Sequence, residues 1–245
     1  MKQSPFPDTS SHGLHVAIVM DEDHHKGRAW SIRQYWDHPR GSDFVSRLVE
    51  TATSLGIETL TLCSFSSDRW ESSAADIGPS MKRFLDNLYT GLTAPPDNDT
   101  YIQVIGRRDR FPAQVTDRIE ELQNTGKSTH SLTLRLAFDC SSRQMLIEAL
   151  RHAAKSIPLE KSGDPDLGSF LGEVMGTGQC SPDVDLMIRT GGEHWLGDCL
   201  LWENAYAELF FTRKKWLDFT GKDLAEAVQE FHGRERRFGN IVLAS

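Results

Sequence analysis

The 245-residue chain, 38% hydrophobic and 25% charged, is ordinary globular material, long enough for one large domain with a substantial core. A net charge of -8 and a pI near 5.6 argue against general nucleic-acid binding, which normally needs a field of opposite sign, so an anionic substrate would require local basic residues. No apolar run is long enough to span a bilayer, and the opening MKQSPFPDTSSHG has neither a basic segment nor an apolar signal core, so a soluble, cytoplasmic protein is expected.

Residues 1–13 read as a flexible tail. The apolar run 15–20 (HVAIVM) predicts the first strand. In 41–56, Phe44, Val45, Leu48, Val49, Ala52 and Leu55 share one face at helical spacing, and Gly56 supplies the stop. Strand-like runs follow at 57–65, 101–105, 131–137, 184–189 and 207–211, with helical patterns at 78–91, 112–125, 141–156 and 221–236. The Ser-, Pro-, Gly- and Asp-rich stretches 71–79 and 157–182 read as surface segments. Strands alternating with helices predict an α/β fold: a single domain over 14–245 with a mostly parallel central sheet flanked by helices. Cys63, Cys140, Cys180 and Cys199 form no CxxC pair, so they read as reduced, packing thiols. There is no HExxH, P-loop, GxGxxG after a strand, or GxSxG turn.

In such a sheet, ligands bind where strands deliver their carboxyl ends, which singles out Asp21 directly after VAIVM. Asp21-Glu22-Asp23 offers hard oxygen ligands to Mg²⁺, although an acidic turn capping a helix would read the same way. The run Arg189-Thr190-Gly191-Gly192 after a strand suits a guanidinium and exposed backbone amides facing a phosphate. A tight turn whose arginine pairs with a surface acid is the plainer alternative.

HVAIVMD, FSSDRW (65–70), RTGGE (189–193), LLWENAYAELFFT (200–212) and RERRFG (234–239) together resemble, in order and nearly in spacing, the motif series of the cis-prenyltransferase family, of the undecaprenyl diphosphate synthase type. The resemblance implies a homodimeric, Mg²⁺-dependent α/β enzyme that binds an allylic prenyl diphosphate and adds isopentenyl diphosphate with cis geometry. It implies Asp21 as catalytic aspartate and metal ligand, His38 as the histidine of the following helix, and Ser66, Ser67 and Trp70 as the FSSENW segment. Arg189, His194 and Glu208 match the second diphosphate and metal region. Arg236, Arg237 and Gly239 match a C-terminal motif that reaches towards the partner subunit's site.

The departures point away from simple elongation. Where the family reads MDGNGRWA, this chain has Glu22, Asp23, His24 and His25 after Asp21, then Lys26, and Gln34 stands where a further phosphate-binding arginine is expected. Added acids repel a diphosphate unless metal intervenes, so DEDHH reads as a rebuilt diphosphate and Mg²⁺ site with Asp21, Glu22, Asp23 and Glu208 as ligands. A loop that has lost its function is the competing account. Arg69 stands where an asparagine commonly assists condensation, and Arg143 alone survives from the NYGGR segment.

Trp195 and Gly197 replace an arginine and a serine that hold isopentenyl diphosphate in the family. Trp195 reads either as an aromatic face for a carbocation or as packing. The expected activity is therefore ionisation of a short allylic diphosphate to a cyclised, rearranged or irregularly coupled terpenoid. Arg189, Lys26 and Arg143 would neutralise the departing group, and His24, His25 or His38 would accept a terminating proton. Phe44, Leu48, Met145 and Phe210 are candidate walls or plain core. Conventional cis-elongation, and a non-catalytic partner subunit, are the alternatives.

Overall fold

The structure, a computed structural model, describes residues 13–20, 41–64, 74–93, 100–124, 131–156, 174 and 182–236. The elements in chain order are β1 (Leu14–Val19), α1 (Gly41–Ser54), β2 (Ile57–Cys63), α2 (Ala74–Thr93), β3 (Thr100–Ile105), α3 (Ala113–Asn124), β4 (Leu132–Ala137), α4 (Ser142–Ser156), β5 (Leu186–Arg189), β6 (Glu208–Phe211) and α5 (Gly221–His232). The strands form one sheet in the order β3-β4-β2-β1-β5-β6, with every adjacent pair parallel.

Alternation along the strands divides the core in two. Val16, Ile18, Leu60, Leu62, Leu134, Leu136, Leu186 and Ile188 face α1, α2, α3 and α5, where Leu48, Phe84, Ile119 and Leu224 meet them. Ala17, Cys63, Ala137 and Met187 face the other way, against Met145 and Ala149 of α4. Burial on both faces is why these strands read as nearly continuous apolar runs. Of the candidate walls, Leu48 is core, Phe44 and Phe210 pack against that same cluster, and Met145 belongs to the opposite face.

Two boundaries differ from the sequence expectation. The segment 71–79 was expected at the surface, but α2 already begins at Ala74 and runs through Pro79. Proline there removes one intrahelical hydrogen bond, and burial of Met81, Phe84, Leu85 and Leu88 outweighs that loss. The last helix ends at His232 rather than 236, with the Gly233 amide donating to the carbonyls of Gln229 and Glu230. Nearly all of the 157–182 stretch lies outside the described residues.

At the start of α5, Asp223 accepts hydrogen bonds from the Thr220 amide at 2.8 Å and the Thr220 hydroxyl at 2.7 Å, and pairs with Lys214. Burial opposes ionisation of Asp223, but the hydrogen bonds from Lys214 and Thr220 outweigh it and hold the carboxyl below its usual range. A depressed carboxylate stabilises the fold above its unfolded pKa of roughly 3.9 and loses that contribution as pH falls through the folded value. Asp223→Asn is therefore expected to cost about 1 kcal/mol at pH 7, measured by urea unfolding, with the difference from the parent shrinking below about pH 4.

Candidate functional site

The carboxyl ends of four strands come level with one another. Val19 pairs with both Cys63 and Arg189, and Cys63 pairs with Ala137. The Met20 amide donates to Cys63 O at 3.0 Å and the Ser64 amide to Ala137 O at 3.1 Å, so pairing extends one residue past β1 and β2. Asp21 is the next residue after Met20, and Ser66 and Ser67 follow Ser64 closely. The rim of the sheet thus carries the chain towards the acidic loop and the FSSDRW segment, both outside the described residues.

Arg189 closes β5 and is almost fully buried, 2% exposed. It shares a face with Met187, on the α4 side of the sheet. Its guanidinium carbon stands 3.8 Å from the centroid of the Trp195 ring. The Trp195 indole Nε1 donates to the Glu193 carboxylate at 3.0 Å, and the ring is 53% exposed. His194, exposed, lies against Phe211 with ring centroids 5.2 Å apart.

The turn after Arg189 does not offer its backbone amides to an anion. The Thr190 amide and hydroxyl both donate to Val19 O, the Gly191 amide to Lys214 O at 2.8 Å, and the Gly192 amide to Thr212 O at 2.9 Å. Gly191 and Gly192 take φ of +86° and +84°, which folds the turn back onto 212–214. Their glycine identity serves this turn, which leaves the Arg189 side chain as the motif's candidate partner for an anion.

Asp198 ties the following loop to α4. The Ser141 hydroxyl donates to its carboxylate, as does the Arg143 amide at 3.2 Å, while the Ser142 amide donates to Asp198 O at 2.7 Å. The Arg143 side chain is 83% exposed, with Nε 3.9 Å from Asp198, a loose contact that leaves the guanidinium facing solvent near the rim. Asp139, in the position of the family's asparagine, is buried at φ +49° and paired with Arg110 at 3.0 Å.

Glu208 and Arg236 lie elsewhere. Glu208 opens β6 opposite Leu186, three residues and about 10 Å along the strand from the level of Arg189. Its carboxylate accepts from Arg234 at 2.9 Å, and Arg234 also binds Glu230. Hydrogen bonding to Glu230 is the main cause of the raised Arg234 pKa, with Glu208 adding to it. Arg236 donates to the buried Asp185 at 2.6 Å, whose other oxygen accepts the His15 amide at 2.9 Å. Within one chain, then, Arg189, Trp195 and Arg143 gather at the carboxyl rim, while Glu208 and Arg236 are held near the opposite ends of β5 and β6. Asp21, Glu22, Asp23, His24, His25, Lys26, His38, Ser67, Arg69, Trp70, Arg237 and Gly239 lie outside the described residues. Among the described residues, no three His, Cys, Asp or Glu side chains are arranged to hold a metal ion.

Cys63, Cys140 and Cys199 are free, buried thiols on the α4 side of the sheet. Hydrogen bonds to Cys140 and Cys63, together with burial, push the Cys199 pKa up, which makes it inert packing rather than a nucleophile. Glu203 is 3% exposed, and burial raises its carboxyl, partly offset by Arg135. The sequence reading missed Glu193 and Asp198, the two acids that fix Trp195 and α4. Their only sequence signal is position, one directly after Gly191-Gly192 and the other directly after Gly197.

The family profile described as "Putative undecaprenyl diphosphate synthase" matches residues 19–239. The chain belongs to the cis-prenyltransferase family. Isoprenyl transferase 1 of Bradyrhizobium diazoefficiens is 38% identical over 232 residues, covering 94% of this chain and 91% of the relative. The ditrans,polycis-undecaprenyl-diphosphate synthase ((2E,6E)-farnesyl-diphosphate specific) of Escherichia coli is 33% identical over 233 residues, covering 94% and 91%.

Among solved structures, lavandulyl diphosphate synthase from Lavandula x intermedia, in complex with dimethylallyl diphosphate, superimposes with a TM-score of 0.80 at 26% identity, covering 93% of this chain and 98% of that one. A probable undecaprenyl diphosphate synthase from Campylobacter jejuni shares the fold, with a TM-score of 0.71 at 24% identity over 94% and 99%. The expected cis-prenyltransferase fold is thereby borne out. Enzymes of this family are prenyl diphosphate transferases, generally Mg²⁺-dependent. Among the described residues no helix is long and apolar enough to cross a membrane.

Proposed function

We propose that this cis-prenyltransferase ionises a short allylic diphosphate at the carboxyl rim and forms an irregularly coupled, rearranged or cyclised terpenoid without elongating the chain on isopentenyl diphosphate. The observation that carries this reading is the Trp195 ring lying over Arg189. Where the resemblance calls for a second guanidinium on isopentenyl diphosphate, an indole stands on the first one. One fixed guanidinium suits one diphosphate, and the second phosphate clamp is gone. The likeness to lavandulyl diphosphate synthase supports the same direction.

In the reaction, the allylic C–O bond breaks and its electron pair leaves with the diphosphate. Arg189 lowers the energy of that developing charge, with Arg143 at the rim, and Lys26 in the acidic loop, as further cations. The allylic cation is then consumed by a second alkene, or by ring closure, with loss of a proton. His24, His25 and His38 are the assigned proton acceptors, and Asp21, with Ser67, Arg69 and Trp70, is assigned to the reacting allylic end. Mg²⁺ binding rests on Asp21, Glu22 and Asp23. Arg236, Arg237 and Gly239 belong to the contribution of one subunit to its partner in a homodimer, while Glu208, expected as a fourth metal ligand, is held by Arg234 about 10 Å along the strand from the level of Arg189. Exposed Ile147 and Leu150 on α4, with exposed Trp202 and Tyr206 before β6, the edge strand among the described residues, support that dimer.

Conventional elongation remains the second reading, favoured by the isoprenyl transferases at 33–38% identity. Dimethylallyl, geranyl and farnesyl diphosphate, each with and without isopentenyl diphosphate, separate the two when extracts are analysed before and after phosphatase treatment. The expected outcome is a new product without isopentenyl diphosphate, lost on chelation with EDTA. Product that forms only with isopentenyl diphosphate, longer by five-carbon units, would establish elongation.

A further inference from the structure

The Trp195 ring face that a substrate cation would use is already covered on one side. The Arg189 guanidinium carbon sits 3.8 Å from the ring centroid, and the hydrogen bond from Nε1 to Glu193 at 3.0 Å sets the rotation of the ring. Gly197 lies at the edge of this stack with φ +82°. A Cβ built on it would come 3.4 Å from Trp195 Cζ3 and 3.5 Å from Arg189 Nη1. Side chains rarely adopt that φ, and any atoms beyond Cβ would crowd both partners. Trp195 and Gly197 therefore act as a matched pair, the ring occupying space that a longer residue at 197 would contest.

We infer that Trp195, locked by Glu193 and given room by Gly197, is a positioning residue that holds the Arg189 guanidinium in one plane to receive a single diphosphate. This rests on the reading of the rim as a diphosphate site. An arginine held by a ring has already lost the rotamer freedom that a mobile one loses on binding, so it takes up an anion at lower entropic cost. A second cation on the far face of the indole would draw on the same ring quadrupole and be repelled by the guanidinium beneath. The ring therefore acts on the substrate through Arg189 rather than by facing a carbocation.

The test is isothermal titration of the full chain with inorganic pyrophosphate in Mg²⁺ buffer, for the parent, Trp195→Ala, Trp195→Phe, Arg189→Ala and the Arg189→Ala/Trp195→Ala double variant. Trp195→Ala is expected to weaken pyrophosphate about 5- to 30-fold, and Trp195→Phe, which keeps an aromatic face but loses the hydrogen bond to Glu193, by a clearly smaller factor. In the Arg189→Ala background, Trp195→Ala should add nothing, because the two act as one unit. In turnover, Trp195→Ala should raise KM more than it lowers kcat.

Melting temperatures identify any variant that fails to fold. In that event Gly197→Leu, whose atoms beyond Cβ would contest the space of the stack from its other edge, should reproduce the loss. Unchanged affinity in Trp195→Ala, equal loss in Trp195→Phe, or the same loss with Arg189 already removed would each overturn the assignment. Since binding is read without any product, failure of the allylic-only reaction leaves this result standing. Unchanged affinity in Arg189→Ala would overturn both the assignment and the diphosphate site beneath it.

Discussion

Arg189→Ala is expected to lower kcat/KM for an allylic diphosphate by about 10²- to 10³-fold, the usual cost of removing one preorganised charge-stabilising donor. The effect is large because Arg189 is 2% exposed, so its field at the rim is little screened by water. Arg189→Lys sharpens the prediction. It keeps the positive charge but loses the planar fork and the stack on Trp195, so it should recover only part of the loss. Steady-state kinetics with dimethylallyl diphosphate reads both variants. Equal rates in the parent and Arg189→Ala would remove Arg189 from the reaction.

Asp185→Ala is expected to destabilise the chain by about 3 kcal/mol in urea unfolding, at the lower end for breaking a buried ion pair. The carboxylate is 5% exposed and holds two donors from distant segments, Arg236 at 2.6 Å and the His15 amide at 2.9 Å. Removing it leaves the Arg236 charge against the start of β5 and takes the acceptor from β1. Asp185→Asn retains an acceptor for the His15 amide and should cost less. A difference below about 0.5 kcal/mol for the alanine variant would mean that the pair behaves like an exposed one.

Arg236 also donates to the Tyr206 carbonyl, so it joins the segment after α5 to the residues that precede β5 and β6. Arg237, next in sequence, lies outside the described residues.

Among the described residues, the six strands and five helices were legible in the amino-acid pattern because the central strands are buried on both faces and the helices on one. Leu60 and Leu62 turn one way and Thr61 and Cys63 the other, yet all four are buried, so the run reads as unbroken. The strand order was not legible: periodicity tells which residues are buried, and says nothing of whether β1 lies between β2 and β5. The start of α2 was hidden by Gly78-Pro79, local breakers overridden by tertiary burial.

At the site, Arg189 and its turn were legible from strand-then-glycine spacing. That the Gly191 and Gly192 amides are used within the protein was not, since their acceptors, the carbonyls of Lys214 and Thr212, lie twenty or more residues away. Nor was the separation of Glu208 from Arg189, which depends on the register of β6 against β5.

The most direct measurement is a time course of inorganic pyrophosphate release by the purified protein from dimethylallyl diphosphate alone, in Mg²⁺ buffer. The account predicts continuous, multiple-turnover release that isopentenyl diphosphate does not accelerate. Release that begins only when isopentenyl diphosphate is added would contradict it and return this chain to ordinary cis-elongation.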